Sequence, residues 1–162
     1  MGFFNENAKL VKEDFQETDY LDCSEDLRIQ KNNFGSKIWL KKGKLHDDFR
    51  EETEIKMNKE DFDRAREIFN SLGLCTKIKW LRDRKQFNWD EIKVCLDYTK
   101  GYGYIIELEK ISSEEEKEKI LEELKQKLEE LKIPLTPKED FENKFSYYKE
   151  NWRNLIEDDN SI

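Results

Sequence analysis

Cysteine, proline, glycine and histidine are all scarce in this 162-residue chain, at 3, 2, 6 and 1 copies. The three cysteines, Cys23, Cys75 and Cys95, are odd in number and lack zinc-type spacing. That argues against a disulfide scaffold and predicts reduced thiols in a cytoplasmic setting. With so little proline and glycine there is no linker, and no shift in composition or internal repeat divides the chain, so residues 1–162 are expected to form one domain. No apolar run approaches the roughly 18 residues that a membrane span needs. The opening MGFFNENAKL carries no leader pattern, and Glu6 stands where a myristoylation signal wants Ser or Thr. A basic excess is missing as well: 30 Lys+Arg against 38 Asp+Glu give a net charge of −8, which argues against a nucleic-acid binder. No glycine-rich phosphate loop precedes a helix, and G-x-S-x-G and H-E-x-x-H are absent. The lone histidine, His46, falls in a polar loop over residues 43–48 and reads as a solvated side chain.

Charge and aromatic rings are abundant, at 42% and 12% of residues. Such a polar chain still folds when periodic apolar segments run through it, and here they do. After an irregular opening over residues 1–12, alternation predicts strands over 15–22, 27–31, 37–42, 50–57, 76–88 and 92–97, with a last one closing at Glu109. Asn58 with Asp61 three residues on predicts the start of a helix whose stripe is Phe62, Ala65, Ile68, Phe69 and Leu72, ended by Gly73. Ser112 and Ser113 with Glu115 and Glu116 predict a second helix, carrying Ile120, Leu124, Leu128 and Leu131. Thr136-Pro137-Lys138-Glu139 predicts a third, with stripe Phe141, Phe145, Tyr148, Trp152 and Leu155. About seven strands joined by short turns, with three helices, make an α+β fold with an antiparallel sheet.

The stretch from Ile92 to Glu109, IKVCLDYTKGYGYIIELE, reads as a hairpin that sets Asp97, Glu107 and Glu109 near one another. At an effective dielectric near 20, each unpaired carboxylate pair about 5 Å apart costs roughly 3 kcal/mol, so water or a cation must intervene. Charges at alternate positions recur on other strands, with Arg28, Lys41, Arg82 and Arg84 on some and carboxylates on others. The plain reading is a sheet with one face in water. The sharper one is a sheet closed into a barrel or tunnel, charges lining the lumen and helices packed outside. In that case carboxylates collect Mg²⁺ or Mn²⁺ and the guanidinium and ammonium groups take phosphate oxygens, which points to a polyphosphate substrate.

Several stretches together resemble the CYTH domain, the family of class IV adenylyl cyclases, thiamine triphosphatases and inorganic triphosphatases also called triphosphate tunnel metalloenzymes. They are Gln16-x-Thr18-x-Tyr20-Leu21-Asp22, Asp26-Leu27-Arg28-Ile29, Arg50-x-Glu52-x-Glu54, Arg82-x-Arg84-x-x-Phe87, and Asp97 followed by G-Y-G-Y-I-I-E-L-E, in the family's order from Gln16 to Trp152. The resemblance implies an eight-stranded tunnel in which Arg28, Lys41, Arg82 and Arg84, helped by Arg50, bind a triphosphate. It implies that Glu52, Glu54, Asp97, Glu107 and Glu109 hold one or two divalent metals, Mg²⁺ or Mn²⁺. Glu52, Glu54 and Arg84 become the catalytic candidates. The expected activity is metal-dependent hydrolysis of triphosphate or of a triphosphate-bearing nucleotide. Cyclic AMP formation from ATP is the alternative, and a non-catalytic nucleotide or polyphosphate binder the third. The expected partner is the small-molecule substrate rather than nucleic acid or membrane, with a homodimer permitted. The family's opening E-x-E-x-K strand and its following helix find no counterpart, Gln30 stands where many members have arginine, and Thr18 where many have aspartate.

Overall fold

The computed structural model describes residues 8–43, 48 and 50–158; His46 lies outside them. Its elements run β1 (Ala8–Leu21), β2 (Asp26–Lys31), β3 (Ser36–Lys41), β4 (Glu52–Met57), α1 (Asp61–Ser71), β5 (Thr76–Trp89), β6 (Ile92–Thr99), β7 (Gly103–Glu109), α2 (Lys117–Glu130) and α3 (Lys138–Asp158). The seven strands form one antiparallel sheet in the order β4-β3-β2-β1-β5-β6-β7. Its spine is the pairing of β1 with β5, each 14 residues long. β1 therefore begins at Ala8 rather than near Phe15 as its alternation suggests. A register shift between Leu10 and Lys12 interrupts the period of two there, which is why the residues before Phe15 read as irregular.

The sheet is rolled. In flat order β3 and β7 stand five strand intervals apart, about 24 Å at the usual spacing. Yet the charge of Lys41 on β3 lowers Glu107 on β7, that of Glu107 raises Arg28 on β2, and that of Lys93 on β6 lowers Glu54 on β4. Side chains a flat sheet would hold beyond a screening length instead share one trough. The roll stops short of closure: β4 and β7 are the outer strands, and no pairing joins them among the described residues. The expected antiparallel tunnel is present as a curled, unclosed sheet.

Two helices cover the convex face. Phe62 and Ala65 of α1 bury Leu21 and Ile29. Leu124 of α2 and Leu131 just beyond it pack on Trp89, Ile92 and Val94. Ile92 and Val94, both fully buried, each contribute about 1.5–3 kcal/mol. On the same side Arg66 of α1 donates to Asp19 at 2.7 Å and Glu17 at 2.8 Å, tying the helix to β1. Burial would raise the Glu17 carboxyl, but Lys79 and Lys31 outweigh it and hold it at about 2. α1 starts at Asp61, three residues beyond the expected cap; the Asp61 carboxylate accepts the Asn58 N–H, and no side chain caps the helix itself.

The third helix does not lie outside. Its Phe145, Tyr148, Trp152 and Leu155 pack with Tyr20, Ile78, Trp80, Tyr102 and Ile105. Register puts Tyr20, Trp80 and Ile105 on the charged, concave face, because Tyr20 opposes Arg28, Trp80 opposes Thr18 and Ile105 opposes Asp97. The helix also replaces missing strand contacts. β6 pairs with β5 only from Arg82 onward, leaving that edge of residues 76–81 without a neighbouring strand. The carbonyls there are met in turn by the Trp152 indole N–H on Lys77 at 3.0 Å, the Tyr148 hydroxyl on Lys79 at 2.9 Å and the Lys100 N–H on Leu81 at 2.9 Å. Gly101, at φ +73, lets the hairpin turn reach α3; a Cβ there would come within 2.7 Å of the Leu155 Cβ. An apolar stripe says that a helix packs on something. It does not say which face of the sheet.

Candidate functional site

One register places the candidate residues of the strands on the concave face, while Arg50 lies just before β4 and has no register partner. Arg28 opposes Trp39, Trp39 opposes Glu54, Lys41 opposes Glu52, Arg84 opposes Asp97, Cys95 opposes Glu107 and Lys93 opposes Glu109. Because side chains alternate, that single parity carries charge across the sheet while the other parity feeds the core.

On the β5–β7 wall the acids and bases are tightly paired. Arg84 grips Asp97 through two nitrogens, at 2.7 and 2.6 Å, and also donates to Glu107 at 2.7 Å. Arg82 donates to Asp97 at 2.7 Å, so one buried carboxylate serves two guanidiniums. Burial works against the charged Arg84, but Asp97 and Glu107 more than offset it and raise its pKa. Burial also pushes Glu107 up; the charges of Arg84, Arg82 and Lys41 win and hold it below the usual carboxylate range.

On the β2–β4 wall, Asp26 joins Arg28 and Arg50, each at 2.6 Å. Burial favours the neutral acid there, yet the two arginines keep Asp26 below its ordinary value. The Arg28 guanidinium lies 4.2 Å from the Tyr20 ring centroid, which links the charged trough to the aromatic cluster under α3. Arg50 also reaches the carbonyls of Lys41, Lys42 and Gly43 at 3.3–3.4 Å, so it braces the end of β3. Glu52 accepts from Lys41 at 2.6 Å and from the Trp39 indole at 3.1 Å, and Glu54 accepts from Lys37 at 2.8 Å. Burial, with Arg28 nearby, lowers Lys41 despite Glu52.

The five expected carboxylates do not gather into one group. Glu107 and Glu109 come together, and the third member of their group is Cys95: one ligand atom from each lies within 4.8 Å of the others. Glu109 is ion-paired with Lys93. Burial raises the Cys95 thiol to about 11. Asp97 is engaged by its two arginines, and Glu52 and Glu54 stay on the opposite wall. This donor set, two carboxylates and a thiol, fits a divalent ion.

Sequence reasoning missed Asp26, Trp39, Lys93 and Asp14. Asp26 is part of the Asp-Leu-Arg-Ile stretch and shares the parity of Arg28, a signal sufficient to find it. Lys93 and Cys95 likewise share the parity of Asp97. Asp14, whose side chain is fully buried opposite Arg84, was hidden by the interrupted alternation around it.

A family model of the CYTH domain matches residues 5–153. A protein of Methanocaldococcus jannaschii, provisionally named an adenylate cyclase, is 31% identical over 134 residues, 77% of each chain. Among solved structures, a conserved hypothetical protein of Pyrococcus furiosus superposes with a TM-score of 0.71 at 21% identity, over 79% of each chain. A Pyrococcus horikoshii protein gives 0.68 at 23% identity over 78% of each. A Vibrio parahaemolyticus protein, also provisionally named an adenylate cyclase, gives 0.64 at 17% identity over 82% of this chain and 83% of its own. These structural likenesses concern the fold.

Proposed function

This chain belongs to the CYTH domain family, and from that premise we propose that its trough binds and hydrolyses inorganic triphosphate or a triphosphate-bearing organic molecule. The observation that carries the reading is the facing of two charged walls, with Arg28 and Lys41 on one side sensing Glu107 and Glu109 on the other. A polyphosphate lying between them meets Arg28 and Lys41 on one wall and Arg82 and Arg84 on the other. Arginine suits this because its planar fork takes two oxygens at once. Asp26 and Asp97 position those arginines, and Arg50 acts through Asp26.

Members of the family are metal dependent, and Glu107 and Glu109 are the carboxylates best placed to hold a divalent ion here. Such an ion, when bound, supplies positive charge to phosphate oxygens. In the hydrolysis a water oxygen bonds to the terminal phosphorus, the bridging P–O bond opposite it breaks, and pyrophosphate leaves from inorganic triphosphate, or the organic diphosphate from an organic one. The water's proton passes to a carboxylate, for which Glu52 and Glu54 on the exposed strand β4 are the candidates. Arg84, already spanning Asp97 and Glu107, stabilises charge on the transferred group.

Purified protein supplied with Mg²⁺ or Mn²⁺ should release phosphate from triphosphate, and Glu107→Ala and Arg84→Ala should each lower the rate at least about tenfold. No release with either ion sinks the hydrolase reading. The name of the Methanocaldococcus relative favours a second reading: the ribose 3′-hydroxyl of ATP attacks the α-phosphorus in the same trough and pyrophosphate leaves. Cyclic AMP appearing from ATP selects it.

A further inference from the structure

A thiol stands among the acids of the β6–β7 wall. Cys95 is directly opposite Glu107 in register and diagonal to Glu109. Its residue is fully buried, and no hydrogen bond engages its sulfur among the described residues. A buried polarisable group left unpaired beside two carboxylates adds an observation the acidic pair alone lacks. Lys93 sits against Glu109 and Arg84 donates to Glu107 at 2.7 Å, so an incoming cation competes with these partners for both carboxylates.

We propose that Cys95, Glu107 and Glu109 form a mixed thiolate–carboxylate site that binds a thiophilic divalent cation, of the Zn²⁺, Cd²⁺ or Co²⁺ kind, more tightly than Mg²⁺. The proposal rests on reading the trough as cation-binding but not on any turnover. Carboxylates alone suit hard, oxygen-seeking ions, whereas a thiolate shifts preference toward softer ones. Three protein ligands also leave positions for a water or a phosphate oxygen, as in zinc sites that are not fully enclosed. On binding, the Cys95 S–H bond breaks, a sulfur–metal bond forms, and the proton leaves to solvent. Lys93 gives up Glu109 as the cation arrives.

The test is a titration of the full chain with CdCl₂ and, in parallel, CoCl₂, followed by the ultraviolet thiolate-to-metal charge-transfer absorption. The expected result is a band saturating at one equivalent, absent in Cys95→Ser and Cys95→Ala and retained when Cys23 and Cys75 are both changed to serine. Glu107→Gln should weaken cadmium binding by about tenfold or more. Mg²⁺ at large excess should fail to erase the band. No band in the unaltered protein, a band that persists in Cys95→Ser, or one erased by modest Mg²⁺ overturns the proposal. A band without phosphate release keeps the thiol site and removes the hydrolase reading; phosphate release without a band does the reverse.

Discussion

Two parts of the trough, the Arg82–Arg84–Asp97 cluster and the edge strand β4, use the same residue types under different solvation. On the β5–β7 wall the side chains of Arg82, Arg84 and Asp97 are 9%, 10% and 0% exposed. On β4 the Glu52 and Glu54 side chains are 42% and 38% exposed, against Lys41 and Lys37 at 17% and 23%. Exposed pairs contribute about 0–1 kcal/mol, because water and salt screen them. For the buried set, loss of one partner strands a charge away from water, which costs about 3–5 kcal/mol. The Arg82–Arg84–Asp97 cluster is thus a fixed template, and the edge strand β4 carries carboxylates whose partners can be exchanged at little cost. Proton transfer suits the exposed strand and rigid phosphate placement the buried cluster.

The contrast can be broken most directly at Asp97. Asp97→Ala should lower unfolding free energy by about 3–5 kcal/mol in urea melts, little affected by added salt. A loss under 1 kcal/mol would mean that Arg82 and Arg84 find solvent and that the cluster does not differ from β4. A smaller but clear loss is expected for Asp26→Asn, whose side chain keeps 14% exposure. This variant also carries a pH signature. Asp26 has its folded pKa below the ordinary 3.8, so its contribution is present above that pH and is lost as pH falls through the folded value. Asp26→Asn should flatten that acid limb, measured by thermal melts between neutral pH and about pH 2. Tyr148→Phe removes only the hydroxyl that meets the Lys79 carbonyl and should cost about 0.5–1.5 kcal/mol. Least of all, Glu54→Gln should change stability by about 0–1 kcal/mol, an effect that fades in high salt.

Much of this arrangement was legible because a strand has period two. Once Asp97 and Glu107 were assigned to one face, alternation carried Lys93, Cys95 and Glu109 with them, and the same logic set Arg82 with Arg84 and Glu52 with Glu54. Alternation fixes a face but not a distance. It could not say that Asp97 would be consumed by two arginines, nor that Glu52 and Glu54 would remain with Lys41 and Lys37 across the trough. Those outcomes depend on strand order and roll, which are set by long-range pairing. The interrupted register near Val11 concealed the first half of β1, and with it Asp14. Helix stripes were equally plain for α1, α2 and α3, but a stripe of Phe145, Tyr148 and Trp152 matches an aromatic patch on either side of a sheet. Only the early end of β6 decides the matter, by leaving carbonyls of β5 for Tyr148 and Trp152 to meet.

That substitution of side chains for a strand makes α3 a separable part. A strand cannot leave a sheet without breaking a whole ladder of main-chain bonds, whereas α3 meets β5 through one hydroxyl, one indole and apolar contact. The ladder from β4 to β7 is complete without it. Undocking α3 would uncover Tyr20 and Trp80 at the floor of the trough while leaving every strand pair in place, so α3 acts as a stopper that can be weakened one aromatic residue at a time.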